Sequence, residues 1–244
     1  MLVPSEAERL CVILVRPRNP LNIGAAARAM SNFGIGHLRV VNPYAVAFRQ
    51  ARSAVGAAEV MASAQECPTV ADAVADCEVV VGTTAVRHRE LQHPLRRLDE
   101  DAGNAIREQL QSGRVALLFG SEKFGLSNEE LSYCHWLLHI PTCAEHISMN
   151  LGQSVAVCLY EIVRSSDARR PVEDVKRATA GEVDRITETL LEALYASGFV
   201  KVTTEANTEE KVRRLIRRLN VQASDTEMML GMFRQILWKL KSEE

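Results

Sequence analysis

The 244-residue sequence has no long hydrophobic run, no cysteine pair at metal or redox spacing, no strong net charge and few aromatic residues. Each absence excludes something. A transmembrane helix needs about 20 consecutive apolar residues, and no stretch approaches that length. The opening "MLVPSEAERL" carries Glu6 and Glu8 where a secretory signal would be basic, so no signal peptide is read there. The formal net charge of -2 means that any nucleic-acid surface must be local. Cys11, Cys67, Cys77, Cys134, Cys143 and Cys158 form no CxxC pair and read as reduced core residues of a cytoplasmic protein. The histidines show no HExxH or other metal spacing, so no metal is expected. His135 and His139 flank "WLL" and read as packing residues. Internal repeats and low-complexity tracts are absent as well.

What is present is an ordinary globular composition, 47% hydrophobic and 25% charged. Short apolar runs alternate with helical segments. "CVILV" (11–15), "HLRVV" (37–41), "EVVVG" (78–82), "RVALLFG" (114–120) and "HWLLHI" (135–140) predict strands. Residues 22–34, 69–77, 104–112, 127–134 and 149–166 predict helices. This alternation predicts an α/β fold, a mostly parallel sheet with helices on both faces. Ser127 with Glu130 reads as a capping box, as does Ser224 with Glu227. The polar segment 167–181 contains Pro171 and reads as a linker. Beyond it only helices are expected, at 182–198, 208–220 and 224–241, with Gly198 closing the first. The expected division is therefore 1–166, a linker 167–181, and a small all-helical extension 182–244.

Two nucleotide-binding motifs come close and fail. "GIGHLR" has Arg39 where a dinucleotide fingerprint needs its third glycine, and it precedes a strand. "GSEKFGLS" has Leu126 where a phosphate loop needs its lysine. What remains is polar groups at strand C-terminal ends: Asn19, Asn22 and Arg28 after the first run, Gly120, Ser121 and Glu122 after "RVALLF", and Ser148 and Asn150 after "LLHIP". Singly, each reads as a cap or turn, with Asn22 and Ser148 as N-caps and Glu122 as a solvated acid. Together they fall on the one sheet edge where α/β proteins bind ligands.

"NPLNIGAAARAM", "LLFGSEKFGLSNEEL" and "HIPTCAEHISMNLGQSVAV" resemble the three motifs of the SpoU/TrmH branch of the SPOUT methyltransferases, over roughly residues 9 to 166. That resemblance implies methylation of ribose 2′-hydroxyls in RNA by S-adenosylmethionine, a homodimer with the site completed across its interface, and a deep trefoil knot in the C-terminal part of the sheet domain. It implies catalytic-site roles for Arg28, Asn22, Glu122, Ser148 and Asn150. It implies cofactor contacts at Thr83, Thr84, Ala85, Gly120, Ile140, Ile147, Ser148 and Met149, made largely through backbone groups. Ile147 stands where related enzymes often have serine, so only its backbone can serve there; Met149 replaces leucine at similar volume.

A guanidinium stays charged at neutral pH, so Arg28 is expected to clamp the hydroxyl and a phosphate rather than act as base. Glu122 is the other candidate base. Arg87 and Arg89 in a basic loop (86–97), and Arg213, Arg214, Arg217 and Arg218 at i,i+4 spacing, are expected to bind RNA phosphates, unless the latter form a solvated face balanced by Glu209 and Glu210. The C-terminal stretch further resembles enzymes that methylate cytidine or uridine 32 in the tRNA anticodon loop. The alternatives are a ribosomal-RNA 2′-O-ribose methyltransferase and an inactive knotted RNA-binding protein.

Overall fold

The computed structural model describes residues 2–44, 48, 57–85, 92–164, 176–200 and 205–242. In chain order these form α1 (Pro4–Ala7), β1 (Leu10–Val15), α2 (Pro20–Asn32), β2 (His37–Val41), α3 (Ala58–Ser63), β3 (Gln65–Cys67), α4 (Val70–Val74), β4 (Val79–Thr83), β5 (Leu95–Arg97), α5 (Glu100–Ser112), β6 (Val115–Phe119), α6 (Asn128–Leu131), β7 (Trp136–His139), α7 (Leu151–Val163), α8 (Ala180–Ala196), α9 (Glu205–Arg218) and α10 (Thr226–Lys241). The strands make one seven-stranded sheet in the order β3-β2-β1-β6-β4-β7-β5. Every pairing in it is parallel.

Continuous apolar runs formed the central strands because both faces are covered. Leu10, Val12 and Leu14 of β1 and Val115, Leu117 and Phe119 of β6 face one core with α2, α3, α5 and α7. Cys11, Ile13 and Val15, with Ala116 and Leu118, face a second core with α4, α6 and the first residue of α8. Small residues let helices approach closely on the first face. A Cβ on Gly152 of α7 would lie 2.6 Å from the Ala25 Cβ of α2, and one on Gly103 would lie 2.8 Å from the Glu161 carbonyl.

A third apolar cluster joins α8, α9 and α10 through Val183, Ile186, Leu191, Val212, Ile216 and Leu230. These helices dock on the sheet layer. The N–H of Ala180 donates to the Cys77 carbonyl at 2.6 Å, and that of Gly181 to the Ala75 carbonyl at 2.8 Å.

Several local expectations are corrected. Asn19, not Asn22, caps α2, because Pro20 occupies the first helical position and the Asn19 side chain accepts from the Leu21 N–H. Asn150, not Ser148, caps α7, accepting from the N–H groups of Gly152 and Gln153. Ser127 and Glu130 do form a capping box. Ser224 and Glu227 do not: α10 begins after a short 3-10 turn, and the Ser224 hydroxyl donates to Asp225 instead. Helix α8 starts inside the expected linker, where Thr179 and Glu182 make a capping box. The basic loop ends in a strand, β5, which is only three residues long. Cys143 is exposed and Cys67 half-buried, so not all cysteines are core; all six are free thiols. Gly198 closes α8 in the left-handed region, at φ 73°.

Candidate functional site

The C-terminal ends of β4, β6 and β7 open into one cleft beside the N-terminus of α2. Thr83, Thr84, Ala85, Gly120, Ile140, Ile147, Ser148 and Met149 all line it, together with Ser121, Glu122, Phe124 and Ser154. The wall is fixed by hydrogen bonds. The Thr83 hydroxyl donates to the Leu118 carbonyl at 2.9 Å, tying β4 to β6. The Thr84 N–H donates to the Leu138 carbonyl at 3.0 Å, and a ring nitrogen of His139 lies 3.2 Å from the Thr84 carbonyl. His139 thus holds the cleft's edge rather than merely packing. Gly120 is required by space: a Cβ there would lie 2.1 Å from the Gly125 carbonyl carbon.

Glu122 is the hub of the polar frame. One carboxylate oxygen accepts from the Asn22 amide at 2.9 Å and the Asn19 N–H at 3.2 Å, and the other from the Arg18 N–H at 3.2 Å. The Asn150 amide in turn donates to the Asn22 carbonyl oxygen at 2.8 Å. Burial alone would push the Glu122 carboxyl up, but the Asn22 amide and the backbone donors outweigh it and hold the group below its usual value. So the loop after β1, the turn after β6 and the start of α7 are locked together through three side chains. Arg16 reinforces the first of these. It adopts φ 52° at the end of β1, and its guanidinium lies 2.7 Å from Glu130, the residue that also completes the cap on α6. Arg16 and Glu130 are parts of this frame that sequence reasoning did not assign to it; Asn19 stood in the strand-end cluster, but not as the cap of α2. Pro20 at N1 was the available signal for Asn19.

Arg28 is exposed and lies outside the cleft lining. Six residues separate it from Asn22, which is about 9 Å of rise and roughly 240° of turn along a helix. The two motif residues therefore occupy different faces of α2. Arg28 shares its face with Leu21, which is 78% exposed.

The expected arginine stripe is divided by the fold. Arg217 is buried, 1% exposed, and its guanidinium lies 2.8 Å from Asp184 of α8. Arg214 is buried as well, near Glu210. Arg213 packs over the Tyr133 ring at 4.6 Å and donates to the Ser132 hydroxyl. Of the four, Arg218 alone is fully at the surface, where it donates to the Gln92 carbonyl. Arg214 and Arg217 are thus buried beside Glu210 and Asp184 and do not present their guanidinium groups at the surface. Arg87 and Arg89 lie outside the described residues. No cluster of three or more metal-ligating side chains exists among the described residues, and no helix among them is long and apolar enough to cross a membrane.

Comparison with known proteins agrees with this arrangement. A tRNA (cytidine/uridine-2′-O-)-methyltransferase TrmJ of Sodalis glossinidius is 33% identical over 238 residues, covering 95% of this chain and 92% of its own. Its counterpart in Yersinia pestis is 33% identical, covering 92% of this chain and 90% of its own. The crystal structure of TrmJ from Z. mobilis superposes with a TM-score of 0.81 at 31% identity, covering 93% of this chain and 98% of that one. The SpoU rRNA methylase family matches residues 9–160, the span that contains the whole sheet, the cleft and α7 up to its last turn. The chain belongs to that family.

Proposed function

We propose that the chain methylates the 2′-hydroxyl of a pyrimidine ribose in tRNA, at position 32 of the anticodon loop, with S-adenosylmethionine as donor. One observation carries the reading: the residues aligned with the family's cofactor loops come from three separate strand ends and line a single cleft, against the Asn22–Glu122–Asn150 frame. The named relatives act on tRNA cytidine and uridine, which selects the acceptor.

The cleft suits the donor. Its walls are strand-end backbone with the small residues Thr83, Thr84, Ala85 and Ser148 beside the apolar Ile140, Ile147 and Met149, and Gly120 lets the Gly125–Leu126 backbone close against the strand end. S-adenosylmethionine, when bound, supplies an activated sulfonium methyl group; this chain's residues supply alignment. Glu122 serves as frame rather than base, since three donors already occupy most of its acceptor positions and stabilise its charged form. Arg28 clamps the acceptor hydroxyl and an adjoining phosphate, and the proton leaves to phosphate or water.

Arg28 does this from a second copy of the chain. Its face of α2 carries Leu21, and the neighbouring face of α7 exposes Val157 and Tyr160, 37% and 57% exposed. Covering those apolar side chains by a homodimer would bring Arg28 to the other copy's cleft. The loop 140–149 borders the cleft and leads into α7, which packs on α2 and α5; the trefoil knot is what the resemblance implies for this part of the chain. Residues 1–166 form the methyltransferase domain, and the C-terminal helices extend its RNA surface. Phosphate contacts fall to Arg218, Arg213 and the exposed Arg96 and Arg97 of β5. We read the work as cytoplasmic, where tRNA is the acceptor at hand and thiols stay reduced.

The test is mass mapping of unmodified tRNA after incubation with the purified protein and labelled S-adenosylmethionine. The expected product carries one added methyl on the ribose of nucleotide 32. Bound donor with no methyl transfer to tRNA would overturn the proposal, as would transfer to ribosomal RNA alone.

A further inference from the structure

The turn after β6 carries a large ring to which neither the frame nor the donor contacts assign a role. Phe124 lines the cleft yet is 60% exposed. The Lys123 ammonium lies 5.1 Å from the centre of its ring. The backbone beneath is fixed. Ser121 and Gly125 form an isolated bridge, the Gly125 N–H donates to the Ser121 carbonyl at 2.8 Å, and the Phe124 N–H donates to the Ser121 hydroxyl at 3.3 Å. Gly125 takes φ 67°, and Leu126 is anchored in the core at 2% exposure. An aromatic face held open on a hydrogen-bonded turn can engage a flat partner with little ordering cost.

We infer that Phe124 is the stacking platform for the base of the acceptor nucleotide, with Lys123 beside it for that nucleotide's phosphate. The inference rests on the proposed function and deepens it. In a nucleotide the base is attached to C1′, next to the C2′ that bears the reacting hydroxyl. A ribose presented to this cleft therefore brings its base to the cleft wall. A loop nucleotide that offers its ribose must leave its neighbours' stack, and an aromatic face replaces what is lost. A π-face does not read exocyclic groups, so cytosine and uracil are accepted alike. The platform and the frame form one body, because Glu122 precedes Lys123 on the same turn and is tied to Asn22.

The experiment compares wild type with Phe124→Ala, Phe124→Leu and Phe124→Trp. It reads kcat/KM for unmodified tRNA, donor affinity by calorimetry, and the fluorescence of pyrrolo-cytidine placed at the acceptor position. The inference expects Phe124→Ala and Phe124→Leu to lose about 5- to 150-fold in kcat/KM, equally for cytidine and uridine acceptors. Donor affinity should stay unchanged and Phe124→Trp should retain activity. Pyrrolo-cytidine should be quenched by wild type and not by Phe124→Ala. Full activity in Phe124→Ala would overturn the inference. So would a parallel loss of donor affinity, which would give the ring to the donor, or a change in oligomeric state, which would give it to a second copy. A wild type that quenches pyrrolo-cytidine but transfers no methyl would defeat the proposed reaction and leave the platform standing; absence of that quench would defeat the platform.

Discussion

Glu122 stands at the solvent edge of the cleft and shares its charge among an amide and backbone N–H groups. Arg217, at the seam where the C-terminal helices meet the sheet layer, is buried with one carboxylate partner, and its Nε and Nη1 find none among the described residues. Burial works against both members of that pair: it lowers the Arg217 guanidinium and raises the Asp184 carboxyl, each only partly offset by the other's charge. The seam also holds two histidines as neutral rings. Burial, aided by Arg217 and Arg177, pushes His135 down to about 3, and burial, aided by Arg214 and Arg218, pushes His93 to about 4. The cleft fixes a geometry without isolating charge. The seam fixes the position of three helices by isolating it, and is the less forgiving region.

The largest effect should come from unbalancing the seam. Arg217→Met leaves Asp184 buried and unpaired, and should cost about 3–5 kcal/mol in urea denaturation. Adding Asp184→Leu should recover most of that loss, because a buried pair replaced by apolar side chains is often neutral or stabilising. A double variant as unstable as the single one would show that the guanidinium's packing, rather than its charge, holds the helices.

Acid should then separate the two regions. The Val80 N–H donates to Nδ1 of His135 at 3.0 Å, so that nitrogen carries no proton in the fold. Above pH 6.5 neither folded nor unfolded chain protonates His135. Below it the unfolded chain takes up a proton that the folded chain refuses until about pH 3, so stability falls as pH falls. The slope is about 1.4 kcal/mol per pH unit for this residue. His135→Asn keeps an acceptor for Val80 and removes the titrating ring. Its urea midpoint should change less than that of wild type between pH 7 and pH 5. Equal changes would place the acid sensitivity elsewhere.

How each region could be read from sequence differs for a physical reason. The central strands showed as unbroken apolar runs because helices cover both faces. Gly120, Ser121, Glu122 and Ser148 were legible because strand ends, turns and caps are local, whereas Thr83, Thr84, Ala85, Ile140, Ile147 and Met149 came only with the family resemblance. Strands β3 and β5 were not, since three residues carry no periodicity and owe their form to pairing with β2 and β7. Arg28 sat in the right motif, but its helical phase from Asn22 places it on another face of α2. The arginine stripe misled because its partners are distant in sequence: Asp184 lies 33 residues before Arg217, and Tyr133 belongs to the sheet domain. Phe124 gave no sequence signal beyond being a ring inside a motif.

The smallest stability effect should come from the cleft's own hub, and it decides between two roles. Glu122→Gln keeps one acceptor oxygen but turns an amide group toward existing donors. At pH 7 this should cost about 1 kcal/mol, given the exposure of the site. Because the folded Glu122 carboxyl sits below its ordinary value of 4.5, its contribution is fully present above that pH and is lost as pH falls through the folded value. Wild type and variant should therefore converge in stability at strongly acid pH. The rate profile follows from the same ionisation. A frame residue already ionised across the working range adds no limb near neutrality, so Glu122→Gln should lower kcat/KM while leaving the shape of its pH dependence unchanged. If the substitution instead removes a limb from the pH–rate profile, Glu122 is the base, and the donors around it must rearrange when RNA binds.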